Sequence, residues 1–361
     1  MSRVCLVAGA RPNFMKIAPV ARALASRGVA APIVHTGQHY DERMSEAFFR
    51  ELEIPPPVAN LEVGSGTAVA QTAEIMRRLE PVLLEQRPDW VVVVGDVNST
   101  VAAAMTASKL GMPLAHVEAG LRSFDRGMPE ELNRIVTDSL SDRLFVSEPS
   151  GVANLKHEGI DERRIVLAGN VMIDTLLANL ERARAARAWE RFDLRPGEFA
   201  LATLHRPSNV DVRENLLSIV TALVQTSQKL PVLLALHPRT RKRIDEFGVT
   251  GIMSGERVRI VEPLGYFDTI SLIDAARLVL TDSGGMQEET TALRVPCLTL
   301  RDNTERPITV EIGSSRLVGS RCAAIVAAVD DVVKGPLRIG TVPEIWDGMA
   351  AERIADDLCV A

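Results

Sequence analysis

Short runs of β-branched and aliphatic residues alternate with longer segments of helical periodicity along almost the whole chain. In the first half the runs are Val4–Ala8, Pro32–Thr36, Trp90–Gly95, Leu114–Glu118, Leu144–Ser147 and Ile165–Ala168. In the second half they are Phe199–Leu204, Val232–His237, Val258–Glu262, Leu278–Thr281 and Pro296–Leu300. Runs that are apolar throughout, rather than at alternate residues, mark strands buried on both faces, and helices between them mark parallel pairing. The fold class is therefore α/β with parallel sheets. Helix boundaries are also readable. Pro12 opens one helix, Ser99 is expected to cap another that runs to Leu110, and Pro129 sets Glu130 and Glu131 in a first turn favoured by the helix dipole.

The alternation stops once, between Gly169 and Phe199, where a long Ala/Arg/Glu helix (Ile173–Arg191) leads into Leu194-Arg-Pro-Gly-Glu. A chain of 361 residues has room for two domains at roughly 150 residues each. The boundary is placed here, giving domains 1–170 and 171–342, with a last helix at about 343–361 as a candidate to pack back on the first. Open parallel sheets bind ligands beyond the carboxyl ends of their strands, so two joined in this way are expected to share a ligand cleft.

Apolar residues at 46% and charged residues at 24% exclude a disordered chain. A net charge of −6 excludes a general nucleic-acid or membrane-surface binder, although basic residues that converge locally still bind an anion. Three Trp, two Tyr and nine Phe leave little for stacking, so a ligand must be held mainly by polar groups. The four cysteines are scattered and form no C-x-x-C pair, as expected of buried thiols in a reducing compartment. Met1 leads almost directly into a strand, and no stretch approaches the ~18–20 apolar residues of a membrane span. A cytoplasmic location is expected.

Chemistry-bearing residues gather at strand ends. The first strand runs into Gly9-Ala-Arg-Pro-Asn-Phe-Met-Lys16, where Arg11 and Lys16 flank a helix start that favours anions. Asp96 follows the Trp90–Gly95 run and Glu118 closes the Leu114–Glu118 run, so both carboxylates are expected in one crevice. Glu130 and Glu131 point about 100° apart on their helix, which leaves one of them to face it. Arg122 and Arg134 are candidates to hold these acids ionised or to bind substrate charge.

In the second domain, His205-Arg-Pro and His237-Pro-Arg follow apolar runs. Leu280-Thr-Asp-Ser-Gly-Gly-Met-Gln-Glu-Glu289 reads as strand, glycine turn and helix, whose backbone N–H groups suit a phosphate. Glu289 is placed to accept hydrogen bonds from ribose hydroxyls, and Arg306 is a further phosphate candidate. Of the six histidines only His205 combines a strand end with an adjacent Arg, and the others read as structural. There is no D-x-D, H-E-x-x-H or G-x-S-x-G motif, so metal, zincin and hydrolase-elbow readings lack support.

Taken in order, Gly9-Ala-Arg-Pro, Gly37-Gln-His, Gly95-Asp-Val-Asn-Ser-Thr, His116-Val-Glu-Ala-Gly-Leu-Arg-Ser, Pro129-Glu-Glu-Leu-Asn-Arg, Gly169-Asn, Asp282-Ser-Gly-Gly-Met-Gln-Glu-Glu and Asp302-Asn-Thr-Glu-Arg-Pro resemble the non-hydrolysing UDP-N-acetylglucosamine 2-epimerases. The resemblance covers nearly the whole chain. It implies a GT-B architecture of two Rossmann-like domains, a homodimer, and interconversion of UDP-GlcNAc and UDP-ManNAc for cell-surface polysaccharide synthesis, with no metal and no cofactor. By the same resemblance Asp96, Glu118 and Glu131 match the catalytic acids, and Arg11, Lys16, His205, Ser283, Gly284, Gly285, Glu289 and Arg306 match UDP-binding positions. Thr269 departs from the pattern, which implies an aromatic near the uracil, and Tyr266 or Phe267 is a neighbouring substitute. The segment Ser123–Pro129 is similar to that of relatives acting on UDP-2,3-diacetamido-glucuronic acid, which is the alternative substrate; a GT-B glycosyltransferase is the more distant rival.

Overall fold

Strands without a polar face must be covered on both sides, and helices supply that cover here. The computed structural model describes residues 3–9, 11–37, 49–253 and 257–360, without the side chains of Arg11 and Thr250. It divides into two compact units, one of Met1–Leu177 with Glu344–Ala361 and one of Ala178–Pro343.

In the first unit the strands are β1 (Val4–Ala8), β2 (Ile33–His35), β3 (Ala59–Asn60), β4 (Trp90–Val94), β5 (Leu114–Ala119), β6 (Arg143–Val146) and β7 (Ile165–Leu167). They form one parallel sheet in the order β3-β2-β1-β4-β5-β6-β7. Val7, Val91 and Val93 meet Ile75, Leu79 and Leu83 of the Ala68–Gln86 helix and Ala103 and Ala107 of the Asn98–Lys109 helix in one buried cluster. The strand order reverses between β1 and β4. At such a reversal the loops leaving the two strands run to opposite sides, which is where parallel sheets of this kind receive ligands. The Ala350–Val360 helix belongs to this unit: Arg27 binds Glu352 at 2.6 Å and Asp356 at 2.7 Å, and Asp174 accepts from the Ala350 and Ala351 N–H groups at 3.2 and 2.7 Å.

The second unit holds β8 (Ala200–Leu204), β9 (Val232–Leu236), β10 (Val258–Val261), β11 (Leu278–Thr281), β12 (Cys297–Thr299) and β13 (Ser315–Leu317). Their parallel order is β10-β9-β8-β11-β12-β13, with the reversal between β8 and β11. Leu234, Leu278, Leu280 and Leu298 pack with Ile219 and Leu223 of the Arg213–Ser227 helix and Ile325 and Val329 of the Cys322–Lys334 helix. Two parallel-sheet α/β domains are thus present, as the alternation requires.

Several local expectations change. Ser99 is not the cap of its helix. Val97 holds that position, and the Ser99 hydroxyl lies inside, 2.7 Å from Thr36 Oγ1. The long helix expected over Ile173–Arg191 runs Val171–Ala185, then breaks at Arg187, whose φ of 41° is left-handed, before a 3₁₀ turn over Ala188–Phe192. The last helix starts at Ala350; the residues before it form a loop pinned by Trp346, whose indole N–H donates to the Ser147 carbonyl at 2.9 Å. No helix among the described residues is long and apolar enough to cross a membrane.

Candidate active site

Glu118, the last residue but one of β5, has a backbone conformation that non-glycine residues rarely adopt, with φ of 73°. The pairing of β5 with β6 shifts register between Val117 and Ala119, so Glu118 is the residue of a bulge, a device that re-aims a side chain. Its carboxylate accepts from Lys16 Nζ of the Arg11–Ser26 helix, and both side chains are buried. Gly95 makes the approach possible. It has φ of 67°, and a Cβ there would lie 2.8 Å from Lys16 Nζ and 3.4 Å from Glu118 Oε2. Lys16 and Glu118 therefore nest against the turn that carries Asp96.

Asp96 belongs to a second ion-pair chain. Arg134, 1% exposed, reaches Asp96 Oδ2 at 2.5 Å with one Nη and Glu131 Oε2 at 2.9 Å with the other. Glu131 also accepts from the Ser123 N–H at 2.9 Å, the Ser123 hydroxyl at 3.0 Å and the Phe124 N–H at 2.9 Å. Of the two adjacent acids Glu131 is buried and Glu130 exposed, as their angular separation demands. Arg134 holds two of the acids; Arg122 does not. It pairs with Asp138 at 2.7 Å and with Glu158 at 2.7 Å.

A buried layer beneath these acids carries no clear signal in the sequence. His116 Nε2 donates to the Gly95 carbonyl at 2.8 Å, and Nδ1 lies 2.6 Å from Asp138 Oδ1. Asp138 Oδ2 accepts from the Gly120 N–H at 3.1 Å. Burial pushes the Asp138 carboxyl up, but His116 and Arg122 outweigh it and hold the group below the usual carboxylate range.

In the second unit the residues beyond the strand-order reversal gather around Asp282. Its buried carboxylate accepts from the His205 and Arg206 N–H groups at 3.1 and 3.0 Å and from Asn209 Nδ2 at 3.1 Å, and it pairs with His205 Nδ1 at 2.8 Å. Burial opposes ionisation, yet these contacts keep its carboxyl below the ordinary range. The His205 side chain is 44% exposed. Ser283 precedes the Gly284–Leu293 helix, and its N–H donates to Thr281 Oγ1 at 3.0 Å. Gly284 is the close-approach position, since a Cβ there would stand 2.6 Å from Arg306 Nη1 and 3.1 Å from Glu305 Oε1. Gly285 follows in the helix's first turn.

Three arginines surround Glu305. Arg306 Nη1, Arg206 Nη2 and Arg301 Nη2 lie at 2.9, 3.0 and 2.7 Å, and Arg306 Nε lies 2.7 Å from Glu288. Burial raises the Glu305 carboxyl, but the arginines drive it well below its normal value. The result is a buried, net-cationic cluster of the kind that receives phosphate. Arg206 and Arg301 adjoin His205 and Asp302 in the sequence, yet neither signals its partner there. Glu289 is buried without such cations, and burial, then its neighbour Glu288, pushes its carboxyl up to about 8.

The uracil substitutes find different surroundings. Thr269 turns its hydroxyl back to the Gly265 carbonyl at 2.8 Å. Tyr266 is buried, and Phe267 is covered by the Arg182 guanidinium, 4.7 Å from the ring centroid. The Arg11 side chain, Gln38 and His39 lie outside the described residues.

Comparison with known proteins matches residues 22–359 to the family described as UDP-N-acetylglucosamine 2-epimerase. The UDP-N-acetylglucosamine 2-epimerase of Methanocaldococcus jannaschii is 44% identical over 91% of this chain and 91% of its own. Its crystal structure in complex with UDP-GlcNAc and UDP superposes with a TM-score of 0.93 at 42% identity, covering 99% of this chain and 100% of that one. The UDP-2,3-diacetamido-2,3-dideoxy-D-glucuronate 2-epimerase of Pseudomonas aeruginosa is 43% identical over 90% of each chain. The Neisseria meningitidis UDP-GlcNAc 2-epimerase structure bound to UDP-GlcNAc gives a TM-score of 0.91 at 28% identity, over 99% of this chain and 100% of that one. With both sheets, both strand-order reversals and the residues beyond them in place, the chain belongs to the UDP-N-acetylglucosamine 2-epimerase family.

Proposed function

We propose that this chain is a non-hydrolysing 2-epimerase that interconverts UDP-GlcNAc and UDP-ManNAc in the cytoplasm, as a homodimer supplying cell-surface polysaccharide synthesis. The observation that carries the reading is the 44% identity to the M. jannaschii enzyme over nine-tenths of both chains. The chemistry of the residues agrees with it.

The C2 hydrogen of the sugar is not next to a carbonyl, so direct deprotonation at neutral pH is too uphill. Departure of UDP, with cleavage of the C1–O bond, leaves oxocarbenium character at C1 and makes the C2 hydrogen acidic. A carboxylate then takes that proton, giving 2-acetamidoglucal and UDP. Proton return to the opposite face of C2 and re-addition of UDP at C1 complete the epimerisation, with every atom recovered. Two faces call for more than one proton-transfer group, a role that Asp96, Glu118 and Glu131 fill. Lys16 and Arg134 hold these groups in place. Arg11, His205, Arg306 and the Ser283-Gly284-Gly285 helix start stabilise the diphosphate as its charge grows. Glu289 receives the ribose hydroxyls.

Incubation with UDP-GlcNAc alone in D₂O tests the proposal. The expected product is UDP-ManNAc carrying deuterium at C2. Retention of the original hydrogen overturns the mechanism, and a requirement for an acceptor indicates a glycosyltransferase. Free ManNAc indicates hydrolysis. The P. aeruginosa relative at 43% identity makes UDP-2,3-diacetamido-glucuronic acid the second substrate to assay, and faster turnover of it reassigns the sugar.

A further inference from the structure

The two turns that carry Asp96 and Glu118 are tied together by one buried pair of side chains. His116 lies in β5, fully buried, and its ring spans from the Gly95 carbonyl before Asp96 to the Asp138 carboxylate. Asp138, also fully buried, reaches from the Pro129–Leu140 helix to the Gly120 N–H, two residues after Glu118. A continuous path of hydrogen bonds therefore runs Gly95 carbonyl, His116, Asp138, Gly120 amide. The helix that supplies Asp138 also supplies Glu131 and Arg134, so all three acid-bearing segments meet at this bridge.

Chemistry sets the proton positions. A carbonyl oxygen only accepts, so Nε2 carries hydrogen. The oxygen facing Nδ1 belongs to a carboxylate whose other oxygen is held by Arg122 at 2.7 Å and by the Gly120 amide. Nδ1 lies 2.6 Å from that oxygen, so the ring joins the two ends of the bridge.

We propose that His116, with Asp138, is a positioning residue that sets the spacing between Asp96 and Glu118. The inference rests on the epimerase reading for its kinetic consequence. Proton removal on one face of C2 and return on the other depend on two carboxylates at fixed separation, whereas nucleotide binding does not. A displacement of about 1 Å between reacting groups is enough for a rate loss on the order of 100-fold.

The test is the kinetics of the full chain carrying His116→Gln, which retains one donor, or His116→Asn. His116→Gln should lower kcat by tenfold or more while the UDP Kd stays within about twofold, and His116→Asn, which reaches less far, should lose more. Equal kcat in wild type and His116→Gln, or a loss of UDP affinity matching the loss of rate, overturns it. If these variants fail to fold, Asp138→Asn, which keeps an acceptor for the Gly120 amide, decides by the same split between kcat and UDP Kd, and an unchanged kcat overturns the proposal. A wild-type chain that turns over no UDP-sugar overturns the proposed activity instead, an outcome read before any variant is compared.

Discussion

Lys16 donates to the Glu118 carboxylate across 102 positions of sequence, and the two side chains are only 8% and 6% exposed. Breaking a buried ion pair by removing one member costs about 3–5 kcal/mol in comparable sites. Lys16→Met should therefore destabilise the first unit by that order. Lys16→Met combined with Glu118→Gln should be less destabilised than the sum of the two single variants, with a coupling of about 1–3 kcal/mol read from urea denaturation in a double-mutant cycle. Additive losses would show that the pair does not couple.

Arg134 serves two carboxylates, Asp96 at 2.5 Å and Glu131 at 2.9 Å, through separate nitrogens of one planar group. An ammonium is a point charge and does not span both. Arg134→Lys should reduce kcat with UDP-GlcNAc by roughly tenfold to 100-fold while leaving UDP affinity within about threefold. Steady-state kinetics and calorimetric titration with UDP separate the two effects. A loss of affinity equal to the loss of rate would move Arg134 from the acids to the nucleotide.

Strands that are apolar on both faces announce themselves, which is why β1 and β11 coincide with the runs read from sequence. Two edge strands do not: β3 is two residues long, and β13 is only Ser-Arg-Leu, with Arg316 exposed. The acids at strand ends are legible because a carboxylate after an apolar run has few structural reasons to be there. His116 is not, since a histidine between Ala115 and Val117 in a central strand looks like a core residue, and its partner Asp138 lies 22 positions on. Arg122 and Arg134 look alike in sequence; only packing sends one to Asp138 and the other to Asp96. Periodicity reports which face is buried. It carries no information on which charged groups meet beneath it.

Gly284 leaves no room for a side chain beside Arg306 Nη1. The obstructing atom is the end of a flexible side chain, so Gly284→Ala should fold and move the guanidinium rather than the backbone. The expected result is a UDP Kd raised about tenfold, with a melting temperature within a few degrees of wild type. Unchanged affinity would remove Arg306 from the diphosphate site.

Glu289 gives a pH dependence of defined sign. Its carboxyl titrates near 4.5 in the unfolded chain and is pushed up to about 8 in the folded one, chiefly by burial. Below pH 4.5 both states hold the proton and the group makes no difference. Between 4.5 and 8 the folded state keeps a proton that the unfolded state has released, so stability falls as pH rises through this window and levels off above it. The loss across the window is on the order of a few kcal/mol. Glu289→Gln carries no titrating group, so its melting temperature should match wild type near pH 4.5 and exceed it at pH 8.5. Nucleotide works the other way. A carboxylate accepting two ribose hydroxyls must be ionised, so UDP should bind wild type more tightly at pH 8.5 than at pH 6, and Glu289→Gln should lose that gain. Parallel melting curves for the two proteins from pH 5 to pH 8.5 would show that Glu289 is ionised throughout.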